Sequence, residues 1–399
     1  MGVERAEKLA LLGGARPLWL HGVSVGEVQA CAPIASAARK SGYNGPIIIS
    51  TTTETGKAMA LRLGEGLFTE HVYYPWDKNR FVLRAVASLR PCCFAAAETE
   101  LWPNMLWRLK DEGVPSFLVN GRISDRSWKR LNGPLGRAAG REMYGLFSGL
   151  LMREERDAER LLSLGVAKDR IKVCGDSKID AVLARRDLKK QVEWKARLGS
   201  PERKIFLAGS THEGEEEEVL KAFEILRRTE PSARLVLVPR HPERAAAVES
   251  LVASRWDVCR SSRIFADWDV LVVDQIGVLF DLYGVAAAAF VGGSFADKGG
   301  QNILEPAAWG LPVQYGPHME DFAGPSAEFL RLGLSRQVGS GEELGSVWSE
   351  IAGNADKNKK YAKLSEEYFD GKSGAAQRTW DEIMRCAAEN LRTEVSSGR

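Results

Sequence analysis

The carboxylates that follow apolar strands are the groups in this sequence best suited to acid–base chemistry. Glu27 comes after residues 18–21 and a small loop, Gly22-Val23-Ser24-Val25-Gly26. A Glu in the first turn of a helix that follows a strand faces the side where open α/β sheets gather ligands. There it can take a proton from a hydroxyl. The same Glu27 completes Ser-x-x-Glu, a capping box with Ser24 as the cap. The two roles are compatible. Glu98 and Glu100 flank Thr99 at the end of the apolar run 92–97, and they read either as site groups or as a solvated pair at a loop.

Cations and glycines supply the other half of the chemistry. Arg240 follows Pro239 at the end of an apolar run, with His241 and Arg244 close by. An arginine there suits a phosphate; the alternative is an arginine that only opens a helix. Gly209-Ser210-Thr211 ends another run and offers backbone amides at a helix start, which favours an anion. Gly292-Gly293-Ser294 and Gly299-Gly300-Gln301-Asn302 form a glycine-rich loop ahead of a helix start at Ile303-Leu304-Glu305-Pro306. Such loops let backbone approach phosphate closely. Glu305 can accept two ribose hydroxyls, as acidic residues do in other nucleotide folds.

No metal site is expected. The six cysteines are scattered without a Cys-x-x-Cys pair, and the five histidines do not cluster. His212-Glu213 lacks the second histidine of a zinc helix. Reduced, mostly buried thiols in a cytosolic setting follow.

The elements that must position these groups alternate. Strands are predicted over 18–21, 46–50, 71–74, 92–97, 116–120 and 149–152, and 170–175 ends the first half. Helices are predicted over 28–40, 54–63, 78–88, 102–110, 135–141 and 157–164. The charged stretch 180–198 reads as one connecting helix. The alternation then restarts with strands over 205–209, 235–239, 270–273, 287–292 and 311–315, and the tail 366–391 reads as helical. This pattern predicts an α/β protein with two Rossmann-like domains. The expected boundaries are 1–177 and 178–374, with 375–399 as a final helix that crosses back to the first domain by fold analogy.

Five ordered segments carry a resemblance. They are His21 to Glu27, Glu98-Thr99-Glu100-Leu101-Trp102-Pro103-Asn104, Ala208 to Glu215, Val238 to Arg244, and Phe290 to Pro306. In this order they resemble the transferases of 3-deoxy-D-manno-octulosonic acid (Kdo), over nearly the whole chain. The resemblance implies the GT-B architecture, two Rossmann-like domains facing a central cleft. It implies transfer of Kdo from CMP-Kdo to a lipid A precursor of lipopolysaccharide, inverting and metal-independent.

It also implies roles. Glu27 is the general base, Glu98 an electrostatic stabiliser, and Lys178, in Gly175-Asp176-Ser177-Lys178, a second one that balances phosphate charge. The CMP-Kdo half, 178–374, meets the donor through Gly209, Ser210, Pro239, Arg240, Ile276, Gly277, Val278, Gly300, Asn302, Ile303, Leu304 and Glu305. The chain departs from the family pattern at Val278 and Gln301, where relatives often carry Glu and His. In the acceptor half, 1–177, Arg122 and Lys57 are candidates for lipid phosphates, and Trp102 and Trp107 are read as core residues.

The formal charge of +2 on 399 residues gives no electrostatic reason to expect nucleic acid. No apolar run reaches bilayer-spanning length. Relatives carry an amino-terminal apolar anchor helix, whereas residues 1–12 here read as a short amphipathic piece. With the resemblance, the expectation is peripheral contact with the cytoplasmic face of the inner membrane. CMP-Kdo enters as donor substrate, and no cofactor is expected. The rival readings are a UDP-sugar-dependent GT-B transferase, a sugar-nucleotide 2-epimerase of the same fold, and an inert binding module.

Overall fold

The computed structural model describes residues 15–199, 203–265 and 267–396, so the expected amphipathic piece at 1–12 lies outside the described residues. The chain divides into two compact units. One takes the residues up to Ala181 and those from Lys372 onward; the other is Val182–Gly371.

The first unit is built on seven parallel strands: β1 (Leu18–His21), β2 (Ile47–Thr51), β3 (Glu70–Tyr73), β4 (Cys93–Ala97), β5 (Ser116–Gly121), β6 (Gly149–Met152) and β7 (Ile171–Val173). Their order is β3-β2-β1-β4-β5-β6-β7. Strands covered on both faces read as continuous apolar runs, and Ile47, Ile48, Ile49 and Phe94 to Ala97 are all buried. Helix Val25–Lys40 covers one face through Val28, Cys31 and Ile34. Helices Asn79–Leu89 and Pro103–Asp111 cover the other through Val82, Val86, Met105 and Leu109. The strand order reverses between β1 and β4, the kind of point beside which open α/β sheets gather ligands at their carboxyl ends.

The last helix, Ala375–Ser396, belongs to this unit. Its Ala376, Trp380 and Ile383 join the apolar cluster around helix Val25–Lys40. Asp180 holds its start, accepting N–H bonds from Gly374 at 2.7 Å and Ala376 at 2.6 Å.

The second unit repeats the plan with β8 (Ile205–Thr211), β9 (Arg234–Pro239), β10 (Val258–Arg260), β11 (Val270–Val272), β12 (Ala288–Val291), β13 (Val313–Tyr315) and β14 (Ser335–Gln337). The order is β10-β11-β9-β8-β12-β13-β14, all parallel, with the reversal between β8 and β12.

Three expectations change. The single helix expected over 180–198 is two, Ser177–Ala184 and Leu188–Leu198, because Asp187 caps the second by accepting the Lys189 N–H at 2.9 Å. The single tail helix is also two, Ala355–Lys372 and Ala375–Ser396, broken where Gly374 takes a φ of 79°. The edge strands β10 and β14 and the helix Asp125–Leu131 were not expected. The two strands span three residues each and the helix is mostly charged, so they carry little periodic apolar signal.

Candidate functional site

The opening motif turns at the carboxyl end of β1. Gly22 is required there, because a Cβ would stand 2.9 Å from backbone atoms of Glu27 and Val28. Ser24 is extended, at φ −129° and ψ −174°, and caps the helix. Glu27 Oε2 accepts the Ser24 N–H at 3.1 Å and also the Ser24 hydroxyl. The capping role is therefore real. Glu27 Oε1 accepts no hydrogen bond among the described residues, and the side chain is half-buried. One oxygen orients the carboxylate, and the other is left to take a proton.

Glu98 follows β4 in the left-handed region at φ 60°, a costly conformation for a non-glycine residue. The neighbouring strand end holds it there. Its N–H donates to Val119 O at 2.9 Å, and the Arg122 N–H donates to its carbonyl at 3.2 Å. Its carboxylate is buried, forms an ion pair with Lys178, and lies 3.2 Å from Arg122 Nε. Asn120, also left-handed at φ 50°, accepts the Ser177 N–H on its side-chain oxygen at 2.9 Å. The Ser177 hydroxyl donates to Ala30 O at 2.9 Å. These bonds pin the start of helix Ser177–Ala184 to β5 and to helix Val25–Lys40, which delivers Lys178 to Glu98. The Lys178 ammonium also lies close over Gly26, 3.5 Å from where a Cβ would stand. The structure thus brings together three residues from three distant segments. Cys31, one turn beyond Glu27, reports the same gathering: burial, then the charges of Glu27 and Glu98, push its thiol up, and Lys178 opposes them.

Glu100 is more than a solvated loop partner. Burial, followed by the negative charge of Glu27, pushes its carboxyl up to about 7, and Glu98 adds to the effect. His21 is buried, and burial lowers its imidazole to about 3, so it is neutral. Its Nδ1 lies 3.0 Å from the Ser50 hydroxyl, and its ring stacks on Tyr74 with centroids 3.8 Å apart. Trp102 packs against the same Tyr74 at 5.1 Å. Trp107 does not join the core; it is exposed on the outer face of its helix. Lys57 places its ammonium 5.3 Å from the Tyr73 ring. Arg122 opens onto a cavity of about 140 Å³ that Arg153, Arg156 and Arg160 also line.

In the second unit the expected donor residues lie at strand ends. Gly209 and Ser210 sit at an irregularity of β8, where Ser210 has a φ of 58°. Pro239 closes β9, and the Arg240 N–H donates to Thr211 O at 2.9 Å. The Arg240 side chain is exposed and has no hydrogen bond or ion pair among the described residues. Arg244 differs: it donates to Glu216 at 2.7 and 3.2 Å, so its charge is already paired.

Ile276 is exposed, Gly277 has a φ of 88°, and Val278 precedes helix Leu279–Tyr283. Gly300 has a φ of 76° and packs against Met319. Asn302 caps the turn at Ile303 by accepting the Leu304 N–H at 3.0 Å. Glu305 meets Arg185 at 2.5 Å, a partner that sequence reasoning missed. The amides of Gly293 to Ala296 are engaged by Glu215, so this part of the glycine-rich loop is not open to a phosphate.

Asp297, His318 and Glu320 each bring a ligand atom within 4.8 Å of the others, but exposed acidic groups are common without an ion.

Known proteins match both the sequence and the overall fold. The family described as 3-Deoxy-D-manno-octulosonic-acid transferase (kdotransferase) matches residues 3–181. The 3-deoxy-D-manno-octulosonic acid transferase of Bordetella pertussis is 30% identical over 382 residues, covering 92% of this chain and 87% of that protein. The chain belongs to the Kdo transferase family. It is a glycosyltransferase of that family.

A bifunctional glycosyltransferase/methyltransferase of Fusobacterium nucleatum is 29% identical over 88% of this chain. The Kdo transferase chain spans 55% of the length of that relative. Among solved structures, the UDP-GlcNAc 2-epimerase of Neisseria meningitidis bound to UDP-GlcNAc superposes with a TM-score of 0.60 at 16% identity, covering 95% of this chain and 100% of that one. That likeness shows the fold alone. Two seven-stranded parallel sheets with interleaved helices make this Kdo transferase a GT-B protein of two Rossmann-like units.

Proposed function

We propose that this glycosyltransferase moves Kdo from CMP-Kdo to a lipid A precursor, with inversion and without a metal, in peripheral contact with the cytoplasmic face of the inner membrane. Glu27 takes the proton of the acceptor hydroxyl. The freed oxygen bonds to the anomeric carbon of Kdo as the bond from that carbon to the phosphate oxygen breaks. CMP leaves with the electron pair. A general base of this kind contributes about 10²- to 10⁴-fold.

The observation that carries the reading is the state of the Glu27 carboxylate, held through Oε2 by Ser24 while Oε1 accepts no hydrogen bond among the described residues. Glu98 and Lys178 stand beside it as an ion pair and stabilise the charge that develops in the transition state. On the donor side, the unpaired guanidinium of Arg240 suits the CMP phosphate. The turn from Gly300 through Asn302, Ile303 and Leu304 to Glu305 suits the phosphate and ribose. Gly209, Ser210, Pro239 and the stretch Ile276-Gly277-Val278 complete the donor contacts. Cationic side chains neutralise the leaving phosphate in place of a metal.

Incubation with CMP-Kdo and a tetra-acylated lipid A precursor, followed by mass analysis, tests the reading. The expected product is the precursor with Kdo attached and CMP released in equal amount. A chain that binds UDP in preference to CMP, or that releases CMP without modifying the lipid, contradicts it.

A further inference from the structure

The acidic run after β8 has the composition of a solvated helix face, yet Glu215 and Glu216 are each only 1% exposed. Glu215 accepts five backbone N–H groups. Its Oε2 takes His212 at 2.8 Å and Gly293 at 2.7 Å. Its Oε1 takes Ser294 at 2.9 Å, Phe295 at 2.8 Å and Ala296 at 3.2 Å. Four consecutive amides from 293 to 296 form the kind of nest that binds phosphate in other proteins. Here a carboxylate of the chain fills it.

The arrangement needs an ionised carboxylate. A neutral amide of the same shape carries N–H groups at one end and would turn them on one of the two sets of donors.

What Glu215 holds extends into the proposed donor turn. The Gly293 carbonyl accepts the Gly300 N–H at 2.8 Å, and the Ser294 carbonyl accepts the His318 N–H at 3.0 Å. Glu216, the next residue, does the same for the other strand end. It accepts the Thr211 hydroxyl at 2.9 Å and pairs with Arg244, while the Thr211 carbonyl accepts the Arg240 N–H at 2.9 Å. Two adjacent side chains thus reach the two loops that carry Arg240 and Gly300, at the point where the strand order reverses between β8 and β12.

We propose that Glu215 and Glu216 are positioning residues of the donor site, holding the Gly300 turn and the Arg240 strand end in the geometry that binds the nucleotide. Because Glu215 fills the nest, the donor phosphate is directed to Arg240 and the Gly300 turn. The inference rests on the donor reading above.

Calorimetric titration with CMP tests it on the full chain. Wild-type protein that fails to bind CMP defeats the donor reading itself. If the wild type binds, Glu215→Gln and Glu216→Gln are expected to bind CMP about ten- to a hundredfold more weakly. The donor KM should rise, while turnover at saturating donor and the acceptor KM stay near wild type. In Glu215→Ala, added formate should restore CMP affinity by refilling the nest, an effect that chloride at equal ionic strength does not produce. Glu215→Asp, which keeps the charge, should fall between wild type and Glu215→Gln. Folded Glu215 variants with unchanged CMP affinity overturn the proposal. So do an affinity loss that formate leaves untouched, an equal rise in the acceptor KM, or a failure of all Glu215 variants to fold, since the carboxylate would then serve stability alone.

Discussion

Lys178 forms an ion pair with Glu98, a buried carboxylate whose backbone is held in the left-handed region at φ 60°. The lysine arrives from the start of helix Ser177–Ala184, and the glutamate from the end of β4. Removing one member of a buried pair leaves the other uncompensated, which typically costs about 3–5 kcal/mol.

Lys178→Met should cost less than that, about 1–3 kcal/mol, because Arg122 remains 3.2 Å from Glu98 and Lys178 is itself partly exposed to solvent. Transfer should fall as well. Adding Glu98→Gln to Lys178→Met should recover stability in denaturant unfolding but not turnover. Recovery of both would mean that the pair serves the fold only.

Arg240→Ala should weaken CMP binding about ten- to a hundredfold, the worth of a charge-assisted contact. The side chain is exposed and has no partner among the described residues, so the thermal midpoint should stay within error of wild type. Unchanged CMP affinity in titration calorimetry removes Arg240 from the donor site.

Much of this was legible in the sequence. The continuous apolar runs that became β1, β2 and β4 to β6 announced a buried parallel sheet, and the carboxyl ends of β1 and β4 carry Glu27 and Glu98. What stayed hidden has physical reasons. Glu98 and Ser210 adopt left-handed backbone that their residue types do not advertise, whereas Asn120 is of a type that visits it more readily. The burial of Glu215 and Glu216 left no signal in the sequence, because their partners are backbone amides and an arginine remote in sequence. Arg244 adds positive character beside Arg240 in the sequence, yet in the fold Glu216 pairs with it. Trp107 read as core by residue type, although its helical position faces outward.

Glu100 should impose a measurable pH dependence. Its folded carboxyl lies at about 7 against an ordinary 4.5, raised first by burial and then by Glu27. The folded state therefore holds the proton more tightly than the unfolded one. The protonated group's contribution to stability is complete below 4.5 and is lost as pH rises through 7. The midpoint of wild type relative to Glu100→Gln should accordingly fall between those two values and level off above them. A difference that is flat across the window would show that Glu100 titrates as an ordinary surface carboxylate.

Glu27→Gln tests the central claim most directly. A glutamine oxygen can still accept the Ser24 N–H and hydroxyl, so the cap and the thermal midpoint should persist. The amide cannot take a proton from the acceptor, so transfer of Kdo from CMP-Kdo to the lipid should fall by about 10²- to 10⁴-fold. CMP affinity should be unchanged, since the proposed donor contacts lie in the second unit. A Glu27→Gln protein that transfers at the wild-type rate, having lost at most about 1 kcal/mol of stability, would contradict the account and leave Glu27 as a helix cap alone.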